Sequence, residues 1–207
     1  MIAELCLSHE LGIVFNEDGN KYLATLLGLG IYTDTKSLIE ASNRDRLAFS
    51  SLYPYIDLQN IKKIINYKLP RKYFMKLARS VDDMCHIGGR LVTGLGVINP
   101  EFADYLPFIA DDLMRLENAS LVIVWGIVNK TVRICARFSD QGFPFVKFLT
   151  ENFGAGNSGA KISPDGWGEG GAIINFDLGV FMDDDKEIQA KLSEAINLKL
   201  RKMVLDF

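Results

Sequence analysis

Apolar residues in the first part of the chain recur three and four apart, the spacing of helices that bury one face. Ile2, Leu5, Cys6 and His9 follow that period and predict a short helix within 2–11, with a polar turn from Asn16 to Asn20. Lys21 to Gly30 is almost wholly apolar, which predicts a helix buried on several sides, and it runs into the polar break Tyr32-Thr33-Asp34-Thr35. Three more helices are predicted over 43–52, 57–67 and 70–81, each opening on an N-cap residue or a first-turn proline.

The pattern changes at Gly88-Gly89. Residues 90–98 read as a strand, and 100–116 as an amphipathic helix with Phe102, Leu106, Ile109, Leu113 and Leu116 on one face. The β-branched runs 121–128 and 131–138 flank Asn129-Lys130 and predict a hairpin whose turn uses the tolerance of asparagine for positive φ. A helix over 144–153, a long glycine-rich loop over 154–171, a strand over 172–181 and a closing helix over 184–202 complete the expectation. The fold class expected is α+β: a helical first half, then a small mixed or antiparallel sheet with flanking helices, with the boundary near residues 83–89.

Composition narrows the partners. At 207 residues and 48% hydrophobic content the chain can fill a real core. Its 23 Lys and Arg against 26 Asp and Glu leave a net charge of −3, so there is no polybasic field for duplex DNA, and any nucleic acid held would be short and locally bound. Cys6, Cys85 and Cys135 are odd in number and lack CxxC or Cys/His ligand spacing, which fits a reducing cytoplasm better than a disulfide framework or a structural zinc. The N-terminal segment has no basic n-region, and no stretch approaches the roughly 18 apolar residues of a membrane span.

Glycine is concentrated at 154, 156, 159, 166, 168, 170 and 171, seven of the 18 in the chain. Such a loop lets backbone N–H groups approach a guest closely, and anions are the common guest; the competing reading is a flexible surface loop. Gly154 to Gly159 matches GxGxxG, but a helix precedes it and a strand follows, the reverse of a dinucleotide fingerprint. Gly154 to Lys161 departs from the phosphate loop of nucleoside triphosphatases in spacing, and Ile162 stands where Ser or Thr would hold magnesium. Asn157, Ser158 and Lys161 remain as donors in the loop, and Arg137 adds a forked guanidinium suited to phosphate, or is an ordinary surface charge. Trp167 either stacks on a base or caps the core. His86 is read as structural, since no partner to orient a base is evident nearby. Asp183-Asp184-Asp185 reads as a helix N-terminus before it reads as a cation site.

The run Ala24 to Thr35, an apolar helix leading to Gly30-Ile31-Tyr32-Thr33-Asp34-Thr35, resembles the last metal-binding motif of DHH-family phosphoesterases. Thr131 to Arg137, the following helix, and Phe153-Gly154 through Gly171-Ala172 resemble the DHH-associated substrate-binding domain, in matching order and over most of the chain. The resemblance implies that residues 1–85 are the C-terminal helical part of a catalytic domain and 86–207 a substrate-binding domain. It implies that Asp34 is a ligand to Mn2+ or Mg2+ in the full-length enzyme, beside the simpler reading of Asp34 as a cap or turn residue. It assigns substrate phosphate to Arg137, Gly154, Gly156, Asn157, Ser158, Gly159, Lys161, Gly170 and Gly171.

The sequence departs from the family at Cys135, Ala136 and Phe138, where a serine-rich pattern is usual, and at the loop histidine, for which Asn157 or Lys161 would substitute. The Asp-His-His signature is absent, so the resemblance implies a chain that begins inside the catalytic domain and binds substrate more than it hydrolyses it. The substrates implied are nucleotides, short oligonucleotides or other phosphorylated small molecules. The alternative from another class is a non-enzymatic nucleotide or single-stranded nucleic-acid-binding module. The apolar helix over 21–31 also leads to the expectation of a homodimer.

Overall fold

The computed structural model describes residues 2–8, 13, 15, 18–139, 142–163, 166–175 and 185–205. His9, Asn16, the 176–181 portion of the expected last strand, Asp183 and Asp184 lie outside the described residues. The chain divides into two compact units, Met1–Lys68 and Leu69–Phe207.

The first unit is helical: α1 (Ile2–Leu7), α2 (Asp18–Asp34), α3 (Asn43–Leu52), a 3-10 turn (Tyr53–Tyr55) and α4 (Leu58–Ile65). Ala3, Cys6, Phe15, Ala24, Ala48 and Leu52 form its core. Ser42 and Asp45 close a capping box at the start of α3, and Asp57 accepts from the N–H groups of Gln59 and Asn60 at the start of α4, each at 3.0 Å. The Thr25 hydroxyl donates to the Lys21 carbonyl at 2.8 Å and accepts from the Asp57 N–H at 2.9 Å, tying α2 to the cap of α4.

Two expectations for this unit are corrected. The polar segment Tyr32 to Asp34 is the last turn of α2 rather than a break, because hydroxyls there bond back along the helix: Thr33 Oγ1 to the Leu29 carbonyl at 3.0 Å and Thr35 Oγ1 to the Ile31 carbonyl at 2.6 Å. The helix ends where Lys36, Ser37 and Leu38 take consecutive positive φ values of 46°, 62° and 69°. Nor is α2 covered all round, since Ala24 is buried while Tyr22 and Leu26 are 69% and 64% exposed.

The second unit contains α5 (Arg71–Asp82), β1 (Cys85–Ile87), β2 (Arg90–Ile98), a 3-10 turn (Pro100–Phe102), α6 (Tyr105–Leu113), β3 (Leu121–Val128), β4 (Thr131–Phe138), α7 (Phe145–Phe153), β5 (Ser158–Ile162), β6 (Gly168–Asn175) and α8 (Lys186–Leu205). The fold is α+β, around one mixed sheet of order β1-β2-β3-β4-β6-β5 in which only β2 and β3 run parallel. Helix α6 supplies the crossover that a parallel pair requires. Against the expected boundary, α5 belongs to this unit: the Tyr73 ring is 1% exposed in the same cluster as Leu106, Ile109 and Leu113, and its hydroxyl donates to Asp112 Oδ2 at 2.6 Å.

Strand β3 is buried at all eight positions, as expected of a strand covered on both faces. Helices α5 and α6 cover one face over Leu91, Val122, Val124 and Val128. Helices α7 and α8 cover the other, where Trp125, Ile134 and Phe138 meet Phe145, Phe148, Leu149, Leu200 and Val204. The β3–β4 hairpin turns at Asn129 with φ of 54°, as the residues predict. The amphipathic stretch 100–116 divides into the 3-10 turn and the shorter α6.

The largest correction concerns the glycine-rich loop. Half of it belongs to the antiparallel pair β5–β6, with Gly159 opposite Gly171 and Lys161 opposite Glu169. A Cβ on Gly168 would lie 1.6 Å from Phe138 Cε1, one on Gly170 2.8 Å from the Gly159 carbonyl oxygen, and one on Gly171 2.3 Å from that of Ile134. These glycines allow β6 to pack closely against β4, β5 and α7, a reason independent of any ligand.

Candidate functional site

Side chains alternate across a strand, so the pairing register fixes which residues of β4, β6 and β5 share the face on the α6 side. Three rows cross that face. Arg133 stands opposite Ile173, whose N–H donates to the Asn157 carbonyl at 2.9 Å. Cys135 stands opposite Gly171, and Gly171 opposite Gly159. Arg137 stands opposite Glu169, and Glu169 opposite Lys161.

A cleft of about 420 Å3 occupies the first two rows, bounded by Asp104 and Pro107 near the start of α6 and by Arg133, Cys135, Asn157, Gly159, Gly171 and Ile173 on the sheet. Two of the three positions in its middle row carry no side chain, leaving a floor where a guest can approach the backbone. Burial pushes the Cys135 thiol above its ordinary range; Asp111 acts in the same direction, and Arg137 and Arg133 oppose it. Cys135 is therefore a protonated thiol in the floor, unsuited to act as a nucleophile near neutral pH.

The two arginines differ in their partners. Arg137, its side chain 15% exposed, places Nε 2.5 Å from Asp111 Oδ1 and Nη2 3.3 Å from Asp111 Oδ2, with Glu169 Oε2 at 3.9 Å. Arg133 is exposed, lines the cleft and has no ion pair among the described residues. Alternation of β4 signals that Arg133 and Arg137 share a face, but no local pattern distinguishes the paired guanidinium from the open one.

Of the other residues singled out by sequence, Asn157, Gly159 and Gly171 line the cleft. Gly154 ends α7 with φ of 85°, Gly156 lies in the exposed turn that follows, and Ser158 Oγ donates to the Gly154 carbonyl at 2.8 Å. Lys161 is exposed on β5, in the row beyond the cleft, and Gly170 sits between Glu169 and Gly171 on β6. Trp167 is 45% exposed. His86 lies on β1, with Nε2 buried and without a hydrogen-bond partner among the described residues.

Asp34 is exposed in the last turn of α2. Among the described residues no group of three or more His, Cys, Asp or Glu side chains converges as a metal site would require. A pair of divalent ions held about 4 Å apart needs several ligands, so the described residues of this chain do not by themselves fit such a centre. No described helix is long and apolar enough to cross a membrane.

The chain is similar in sequence to an archaeal protein and in fold to a solved structure. An uncharacterized protein of Methanocaldococcus jannaschii is 30% identical over 189 residues, covering 89% of this chain and 37% of that protein. The chain thus spans well under half the length of that relative. A crystal structure of an exopolyphosphatase-related protein from Bacteroides fragilis superposes with a TM-score of 0.50 at 12% identity, covering 83% of this chain and 49% of the other. The likeness is one of fold. A Methanococcus jannaschii structure assigned to the family II inorganic pyrophosphatases matches with a TM-score of only 0.28 at 12% identity, over 91% of this chain and 62% of that one. No family model matches the chain.

Proposed function

We propose that this chain is the substrate-binding part of a phosphoesterase acting on nucleotides, short oligonucleotides or other phosphorylated small molecules. The observation that carries the reading is the open guanidinium of Arg133 beside the glycine floor formed by Gly159 and Gly171. A phosphate group is the ligand that a forked guanidinium and closely approachable backbone suit together. The fold shared with an exopolyphosphatase-related protein supports the same class.

In this reading Arg133 takes one phosphate oxygen pair, and the Asn157 amide orients the ester. Arg137, about 13 Å further along β4, receives a second phosphate when that phosphate displaces Asp111. Asp34 would supply one ligand to Mn2+ or Mg2+ in a longer protein, with the remaining ligands outside the described residues. This chain's own residues bind and orient.

The test is calorimetric titration with AMP, a 3′,5′-bisphosphorylated adenosine and a dinucleotide, on the wild type and on Arg133→Ala, Arg137→Ala and Lys161→Ala. Saturable binding weakened about tenfold by Arg133→Ala supports the reading; indifference to all three substitutions sinks it. Robust manganese-dependent turnover by these 207 residues alone would overturn the division between binding and hydrolysis. Binding without turnover in a protein of the archaeal relative's full length would instead favour a non-enzymatic nucleotide or single-stranded nucleic-acid-binding module.

A further inference from the structure

A second cavity, of about 450 Å3, lies between α5, α8 and the irregular part of β2, within the second unit. The ladder between β2 and β3 shifts register between Gly94 and Val97, and Gly96 takes a positive φ of 66°. This bulge opens the sheet beneath α8 instead of continuing the ladder. Bulges of this kind commonly stand next to functional sites.

The walls are cationic. Lys76, Arg79, Lys186 and Arg201 line the cavity against two carboxylates, Asp83 and Glu194. Asp83 is engaged by Arg79 at 3.3 Å and Glu194 by Lys191 at 3.5 Å. Lys76, Lys186 and Arg201 are left without a carboxylate partner among the described residues.

Arg201 is the most telling of the three. Its Nη2 donates to the Asp83 carbonyl at 2.8 Å, closing the C-terminal end of α5, while its Nε is buried and has no acceptor among the described residues. A buried, unsatisfied N–H on a charged group is costly unless something accepts from it. Burial, with Arg79 nearby, holds the Lys76 ammonium below its ordinary range, and its Nζ stands 5.8 Å from the centroid of the Phe102 ring with no carboxylate beside it among the described residues. At the floor, the Trp125 indole donates to Asn197 Oδ1 at 3.2 Å, which orients the amide and leaves its N–H2 group to donate.

We infer that this cavity is a second binding site, for a small phosphate-bearing anion. Three cations without carboxylate partners match the charge of a phosphate monoester or a pyrophosphate better than that of a single carboxylate. The volume lies within the range of pockets that hold small ligands. The site is built from α5, β2 and α8 and shares no lining residue with the cleft beside Arg133.

The two tryptophans of the chain make the test direct. In a Trp167→Phe background, Trp125 emission is followed during titration with pyrophosphate, AMP and citrate. The expected result is saturable binding of pyrophosphate or AMP that is weakened about tenfold by Arg201→Gln and severalfold by Lys76→Ala. The tighter of the two phosphates identifies the source as a free phosphate anion or a nucleotide. Lys186→Ala, on an exposed side chain, should also weaken binding without lowering the melting temperature, so that misfolding cannot account for the loss. Four results overturn the proposal: no saturable signal up to about 10 mM, equal affinity for citrate, indifference to all three substitutions, or loss of the Trp125 signal in Arg133→Ala. The last would place the anion in the other cleft and leave the proposed function standing.

Discussion

Arg137 grips Asp111 with two hydrogen bonds, Nε to Oδ1 at 2.5 Å and Nη2 to Oδ2 at 3.3 Å, joining β4 to α6 beside the cleft that Arg133 leaves open. The carboxylate already fills the fork that a substrate phosphate would use. Asp111→Asn should therefore tighten pyrophosphate or AMP binding severalfold, and Arg137→Ala should weaken it. Because the Asp111 side chain is 55% exposed, its substitution should change stability by less than about 1 kcal/mol. Paired calorimetric and urea titrations measure both effects.

Close packing, not anion binding, governs Gly168. With a Cβ forced to within 1.6 Å of Phe138 Cε1, Gly168→Ala should destabilise the second unit by about 1–3 kcal/mol. Gly156→Ala, at a position with nothing within 4 Å of the added carbon, should stay within about 0.5 kcal/mol of the wild type. Equal midpoints for the two variants in urea would show that the β6 glycines are not sterically required.

The hydroxyl that joins α5 to α6 can be removed without opening a cavity. Tyr73→Phe deletes the 2.6 Å bond to Asp112 from a ring that is 1% exposed, and should cost about 1–2 kcal/mol. Chemical denaturation should show a lower midpoint with an unchanged slope.

Acid should weaken the helical unit through two carboxylates. The hydrogen bonds from Arg44 hold the Glu4 carboxyl below its usual range, and those from Ser42 do the same for Asp45. A folded pKa below the unfolded value means stabilisation that is present above the unfolded pKa and lost as pH falls through the folded one. Melting temperatures of wild type and Glu4→Gln should differ at pH 7 and converge as pH drops below about 4. A constant difference across that range would contradict the linkage.

Burial of Cys135 makes its alkylation a probe of the cleft. Its thiol, pushed upward by burial, should react with iodoacetamide more slowly than a free cysteine at pH 8, and more slowly still with nucleotide bound. Peptide mapping by mass spectrometry reads this site directly. An unchanged rate at saturating nucleotide would argue that the ligand sits elsewhere.

Periodicity sufficed where burial and local chemistry agree. Strands β2, β3 and β4 and helix α3 begin and end where apolar alternation, helical spacing and the turn residue Asn129 place them. It failed where distant contacts decide. The seven glycines from 154 to 171 read as a loop because strand propensity is low there. Gly159, Gly168, Gly170 and Gly171 instead lie in β5 and β6, and at the last three Phe138, Phe145 and Ile134 leave no room for a side chain. Strand β1 has only three residues and exists through its pairing with β2, and α5 is assigned by the burial of Tyr73 against α6 rather than by its position in the chain.

The α+β class and the hairpin at Asn129 were legible in the sequence, which also singled out Arg137 and the glycine-rich segment as candidates, since each depends on residue type and spacing along one stretch of chain. The tertiary structure alone decided that Arg137 is occupied by Asp111 while Arg133 stands open, and that Lys76 and Arg201 share a cavity beneath α8. Charge pairing and desolvation depend on which elements the fold brings together, and residues 26 positions apart in the one case and 125 in the other meet only once the sheet has formed.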